Sequence, residues 1–290
     1  MAHIADNDST LKYEVNTTHK KVFNLFFTSI LNNLPASVVH LIKKSNYSAH
    51  HVIENKTSHE ALETLYSCGH SHPSSNLLNK LFRSIWFNVD NSKAVRNRLK
   101  LVKKELKVAF SSIIDREEKI ELLSIASGSA RSVVEAISEA GLTAEKIRAS
   151  FLDKNPNALD YSKRLVSKCG LKNFHFRWFN DVASNFPVYF ANAKPNLVEM
   201  VGLLDYFSFD KTLSLLKVIY NNLPKGGILI TANISDNRER KFVTNIVGWH
   251  MIYKNADELR SLAISAGFNP DKIRVIYEPL RIHCVLIAEK

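Results

Sequence analysis

The fold turns on the stretch Leu122-Leu123-Ser124-Ile125-Ala126-Ser127-Gly128-Ser129-Ala130-Arg131. An apolar run breaks into small residues, then resumes with helical spacing through Val133-Val134-Glu135-Ala136-Ile137. A buried parallel strand, a tight turn and a helix N-terminus read this way. Backbone without side-chain bulk lets a ligand approach closely, and the first N–H groups of a helix offer donors to it. Of a Gly-x-Gly-x-Gly spacing only Gly128 is kept, with Ala126 and Ala130 at the flanking positions.

Strand and helix signals alternate downstream of this junction at regular intervals. Residues 146–153 predict a short strand ending in Asp153, a carboxylate placed to accept hydrogen bonds from both hydroxyls of a ribose. A helix is expected over 157–169, stopped by Gly170, then a third strand over 174–181. Asp181, or Asn180 beside it, is placed to meet the exocyclic amino group of an adenine, with Phe179 or Val182 against the ring. Residues 195–205 read as a fourth strand running into a loop, 209–223 as a helix, and 228–233 as a fifth strand after the turn Leu223-Pro224-Lys225-Gly226-Gly227. A helix over 257–266 and two β-branched runs, 272–277 and 282–288, complete the chain. The short Glu278-Pro279-Leu280-Arg281 turn makes that last pair a hairpin. A nicotinamide-binding domain would more often keep three glycines and place its acid about 20 residues on; here the acid lies further away.

From Ser92 to its end the chain resembles the class I S-adenosylmethionine (SAM) methyltransferases. More narrowly, it is similar to a bacterial family associated with methyl-ester biosynthesis from 3-hydroxy fatty acids. The narrower likeness rests on Ala94-Val95-Arg96-Asn97-Arg98-Leu99, on 123–131, and on Gly202-Leu203-Leu204-Asp205-Tyr206. It also rests on Pro224-Lys225-Gly226-Gly227 with Asn233, and on Gly248-Trp249-His250-Met251-Ile252-Tyr253. The resemblance implies an α/β fold: a doubly wound, mostly parallel seven-stranded sheet with a C-terminal antiparallel hairpin. It implies SAM as methyl donor, with S-adenosylhomocysteine (SAH) as its product, and a small-molecule acceptor. The chain departs from the family pattern at Ser124, where most class I enzymes carry an acid, and at the two alanines.

On this reading the cofactor residues are Ala126, Ser127, Gly128, Ser129, Asp153, Lys154, Asn180, Asp181, Val182 and Leu203. The acceptor residues are Tyr206, Trp249, His250, Tyr253 and Arg98, and the catalytic candidates are His250, Asp205 and Tyr253. A carboxylate acceptor arrives ionised, so orientation suffices; an amine or phenol needs a base, for which His250 is the candidate. Trp249 to Tyr253 reads equally as a packed aromatic cluster, and Asp205 and Tyr206 can face either the methionine end or the acceptor. Arg98 or Arg131 can pair with a carboxylate of cofactor or substrate. Cys68-Gly69-His70-Ser71-His72 matches no zinc spacing, so no metal is expected.

At 290 residues and 45% hydrophobic content the chain has the size and composition of a soluble globular protein. No apolar run reaches membrane-spanning length, the polar start is not a signal peptide, and three scattered cysteines fit a reducing compartment, so the expected location is the cytoplasm. The formal charge is +11, with Lys100, Lys103, Lys104 and Lys107 along one predicted helix. Such a stripe suits phosphate backbones or, more simply, the solvated face of an amphipathic linker whose apolar side is Leu99, Val102, Leu106 and Phe110. Residues 1–91 lack the α/β alternation. Helices are expected over 20–42, 59–66 and 76–87, forming a cap over the acceptor pocket or a homodimerisation arm, joined to 92–290 by a hinge at 88–92. The acceptor expected first is a fatty-acid-like carboxylate, O-methylated, with N- or O-methylation of another secondary metabolite as the alternative. Two readings of other classes are an RNA-directed protein using the basic face and an inactive SAM-fold scaffold.

Overall fold

The computed structural model describes residues 4–17, 28–30, 32–33, 58–68 and 87–290. Most of the helix expected over 20–42, nearly all of that expected over 76–87, and residues 69–72 lie outside the described residues; within the first, 28–30 and 32 are helical.

Seven strands form one sheet: β1 (Ile120–Ile125), β2 (Ile147–Asp153), β3 (His175–Asn180), β4 (Leu197–Val201), β5 (Ile228–Ile234), β6 (Ile273–Tyr277) and β7 (His283–Glu289). Their order is β3-β2-β1-β4-β5-β7-β6. The first five run parallel, and β7 inserts antiparallel between β5 and β6. The doubly wound sheet with a terminal hairpin is therefore present as expected. Chain direction across the sheet reverses between β1 and β4, and the carboxyl ends of those strands frame the crevice where such sheets take ligands.

Successive strand residues face opposite sides, so β1 feeds two cores. Leu122 packs with Val133 and Ile137 of α3 (Arg131–Ala140), with Leu159 of α4 (Pro156–Lys168), and with Leu106 and Phe110 of α2 (Asp90–Ile114). Leu123 and Ile125 pack on the other face with Phe190 of α5 (Phe186–Ala193), Leu216 of α6 (Phe209–Asn222) and Leu259 of α7 (Ala256–Ala266). The short α5 was not expected, because Phe-Pro-Val-Tyr-Phe carries little helical signal.

Helix α2 corrects one expectation. The residues proposed as a hinge start the helix, with Val89 and Ser92 buried, and α2 is no solvated linker. Segment 4–17 and α1 (His59–Tyr66) cover its outer side. The Arg96 guanidinium donates to both Glu14 carboxylate oxygens at 2.6 and 2.7 Å and to Phe87 O at 2.7 Å. Asn97 donates to Glu14 O and accepts its N–H. The lysine stripe is engaged within the chain: Lys103 with Glu135 and Glu139, Lys107 with Glu139, Lys104 with Asp6 and Asp8, and Lys100 with Lys12 O.

Candidate active site

The turn after β1 carries three alternate residues in the left-handed region: Ala126 at φ 53°, Gly128 at 54° and Ala130 at 53°. Only glycine adopts that conformation without steric cost, so the two alanines are strained by about 1 kcal/mol each. Asp153, at the tip of β2, holds the turn in place. One of its carboxylate oxygens accepts the Gly128 N–H and the other accepts the Asn155 N–H, each at 2.8 Å. Ser127 N–H donates to Leu152 O at 3.0 Å. The Ser127 hydroxyl is buried without a partner, a donor with nothing yet to bond.

Beneath the turn, Ser124 of β1 faces Glu199 of β4 in register. The Glu199 carboxyl accepts from Ser124 Oγ at 2.5 Å and from Ser132 Oγ, in the first turn of α3, at 3.2 Å. Burial pushes the group up to about 7, against the pull of the two hydroxyls and of Arg98. The acid missing from β1 thus has a counterpart one strand over.

Past β3, Asn180 Nδ2 donates to Asp153 O at 3.1 Å. Asp181 accepts from Val182 N–H, Asn185 Nδ2 and the Tyr189 hydroxyl, which together hold its carboxyl below the usual value. Val182 is 45% exposed, and the Phe179 and Tyr189 rings lie 4.5 Å apart beside it. Lys154 is exposed at the tip of β2.

α1 roofs the turn. Its Glu63 carboxylate accepts from Ser129 Oγ at 2.6 Å, from Arg131 Nε at 3.0 Å and from the Tyr161 hydroxyl at 2.7 Å. A Cβ placed on Gly128 would sit 3.7 Å from His59 Cβ, an ordinary contact, so backbone conformation and not space demands glycine there.

After β4 the chain passes Gly202 and the half-buried Leu203 into a short 3-10 turn, Leu204–Tyr206. Asp205 is buried there; its Oδ1 accepts Ile234 N–H at 2.8 Å and its Oδ2 lies 3.7 Å from Arg98 Nη1. Lys254, fully buried, donates to Leu204 O and Phe207 O and fixes the turn from below. Trp249 Nε1 donates to the Tyr206 hydroxyl at 2.8 Å.

An apolar cavity, partly open to solvent, lies against this turn. Leu65, Val95, Ile234, Val243, Val247 and Met251 supply apolar wall, and Arg98, Asp205, Tyr206, Trp249 and His283 supply polar atoms. Four of the expected residues, Arg98, Asp205, Tyr206 and Trp249, therefore meet at one cavity. His250 is exposed, and neither it nor Tyr253 is among the described lining residues. Tyr253 is half-buried under the Arg240 guanidinium, 4.5 Å from the ring centroid.

Sequence reasoning missed Glu63, Glu199, Lys254 and His283. Glu199 and His283 did leave a signal, each a polar residue inside an otherwise apolar strand run; Glu63 and Lys254 left none. Among the described residues there is no cluster of three or more His, Cys, Asp or Glu side chains placed to hold a metal ion. No described helix is long and apolar enough to cross a membrane.

A sheet of this order, with a small-residue turn after β1 and an acid ending β2, defines a Rossmann-like fold of the methyltransferase type. A family profile with the description Putative methyltransferase matches residues 43–290, and the chain belongs to that family. No curated protein matches it. Among solved structures, the chain is similar to one described as a possible exported protein from Bordetella parapertussis, at 16% identity and TM-score 0.61, over 80% of this chain and 79% of that one. It is also similar to the apo form of the SAM-dependent methyltransferase SibL, at 18% identity and TM-score 0.50, over 84% and 70% of the two chains. A third is the magnesium protoporphyrin IX methyltransferase of Synechocystis PCC 6803 with bound SAH, at 11% identity and TM-score 0.50, over 79% and 96%.

Proposed function

We propose that this protein transfers a methyl group from SAM to a small-molecule acceptor bound in the apolar cavity, with the carboxylate of a fatty-acid-like molecule as the first acceptor class. The observation that carries this reading is the cavity's position at the carboxyl end of β4, the strand beside β1 and its turn. SAM fits the residues at that turn. Asp153 keeps lone pairs for ribose hydroxyls beyond those taken by Gly128 and Asn155. The unpartnered Ser127 hydroxyl and the left-handed backbone leave donors for the methionine end. Asn180, Asp181 and Val182 border the adenine place, with Lys154 and Leu203 at the edges.

Bound SAM supplies an electrophilic methyl on a sulfonium. A carboxylate acceptor is already ionised at neutral pH, so the protein's tasks are orientation and exclusion of water. The apolar walls exclude water, while Arg98, Tyr206 and Trp249 orient the acceptor. With SAM bound, its sulfonium methyl would pass to a carboxylate oxygen and SAH would leave with the sulfur–carbon electron pair, so no residue here would need to move a proton. A carboxylate therefore suits a cavity that His250 does not line; an amine or phenol acceptor would call on His250 as base. Asp205 serves by holding Arg98 and the β5 backbone, and the enzyme acts in the cytoplasm.

Isothermal titration with SAM and SAH, on the parent and on Asp153→Ala, tests the cofactor. Micromolar binding that weakens at least about tenfold in the variant is expected. Methyl-labelled SAM with a series of C8–C16 fatty acids tests the acceptor, the label passing into an organic extract as methyl ester. No binding of SAM by the folded parent would overturn the proposal.

A further inference from the structure

We infer that Arg98 and His283 form a two-donor seat for the carboxylate of the acceptor, the Arg98 charge favouring an acid over an alcohol or amide and the His283 N–H strengthening that preference. This inference rests on the proposed function and adds a residue to it. His283 stands at the start of β7, paired in register with Ile234 of β5, and lines the cavity at 3% exposure. Neither of its ring nitrogens has a hydrogen-bond partner. Arg98 projects from α2 into the same cavity at 4% exposure, and its Nε is likewise without a partner. Its Nη1 makes an ion pair with buried Asp205 at 3.7 Å, longer than a hydrogen bond, and the guanidinium also hydrogen-bonds the Tyr66 hydroxyl.

Buried polar groups are nearly always paired, because leaving them unpaired forfeits their hydration with nothing in return. Arg98 Nε and both His283 ring nitrogens are buried without partners on two residues that line one cavity, which makes this pair the polar end of an otherwise apolar wall. Burial and the neighbouring Arg98 charge keep His283 neutral, so one ring nitrogen carries a proton to donate. Arg98 Nε–H and that N–H are both donors, one of them cationic. The complement of two donors and a positive charge is an anionic oxygen, and the aliphatic walls call for an apolar body behind it. With one carboxylate oxygen held by this pair, the other is left to face the methyl group. Both side chains stand on regular elements, α2 and β7, which fixes the geometry better than loop placement would.

The test is calorimetric titration of the full-length protein with decanoate, decanol and decanamide, with and without SAH. Parent protein should bind decanoate at least about tenfold more tightly than either neutral analogue. His283→Leu should reduce that preference while keeping SAH affinity and melting temperature, and His283→Gln, which keeps an N–H donor, should recover part of it. Equal binding of decanoate and decanol by the parent would overturn the inference, as would undiminished decanoate preference in His283→Leu. SAH binding without any decanoate binding would overturn it and leave the methyltransferase reading standing. Loss of SAH binding in the parent would instead strike the underlying function, and the SAH-free titration would still decide the seat.

Discussion

At the scale of single residues, the two alanines of the β1 turn and the buried Glu199 make separable demands. Ala126 is half-buried at φ 53°, so Ala126→Gly removes strain at little packing cost and should raise stability by about 0.5–1 kcal/mol. Ala130 shares that conformation but is buried, and losing its methyl costs about 0.8 kcal/mol. Ala130→Gly should therefore be close to neutral. Thermal melts of both variants check the contrast, and two equal shifts would refute it. Glu199 sets a pH dependence. Its folded value of about 7 lies above the ordinary 4.5, so between those limits the folded state holds a proton that the unfolded chain has released. Stability must fall as pH rises through that window, by at most about 1.4 kcal/mol per pH unit from this group. Glu199→Gln mimics the protonated form. It should exceed the parent by about 2–3 kcal/mol in urea melts at pH 8, with the difference vanishing near pH 4.5.

At the scale of elements, helix ends show what sequence could and could not reveal. Helix α7 announces itself through Asn255 and Glu258, which form a capping box in the structure. Helix α2 begins after Val89, which has no side chain able to cap. Its first N–H groups go to Glu239, whose carboxylate accepts from Asp90 N–H at 2.9 Å and Asn91 N–H at 2.8 Å. That cap lies 149 residues from Asp90, so no local pattern contains it. Glu239→Ala should cost about 2–3 kcal/mol in chemical denaturation, and a loss below about 0.5 kcal/mol would show that water replaces the cap. The same division runs through the site. Strands with apolar runs, the small-residue turn and Asp153 at a strand end were legible, because each is written in consecutive residues. Glu63 on Ser129 and Arg131, and His283 beside Arg98, were not, because they depend on how separate elements dock. Helix α2 was misjudged as solvated for that reason too: its lysines look free until Glu135, Glu139, Asp6 and Asp8 are brought beside them.

At the scale of the whole molecule, the formal charge of +11 weakens as an argument for a phosphate-binding stripe once the α2 lysines are seen to be paired with acids. Charge balanced by neighbouring acids contributes little to steering a polyanion. The clasp made by Glu63 has a consequence of another kind. It joins α1 to the β1 turn, to the start of α3 and to Tyr161 of α4, the elements that border the cleft proposed for SAM. Anything that steadies that cleft must also steady α1, and the coupling free energy is the same read from either end. Saturating SAH should therefore slow amide hydrogen exchange across residues 58–66. Glu63→Gln should weaken SAH binding several-fold and abolish that protection, though the variant's substitution lies outside the cofactor residues themselves. Exchange in 58–66 that ignores SAH would mean the two ends are energetically independent. If SAM binds where proposed, docking of α1 and occupancy of that cleft are one reciprocal equilibrium.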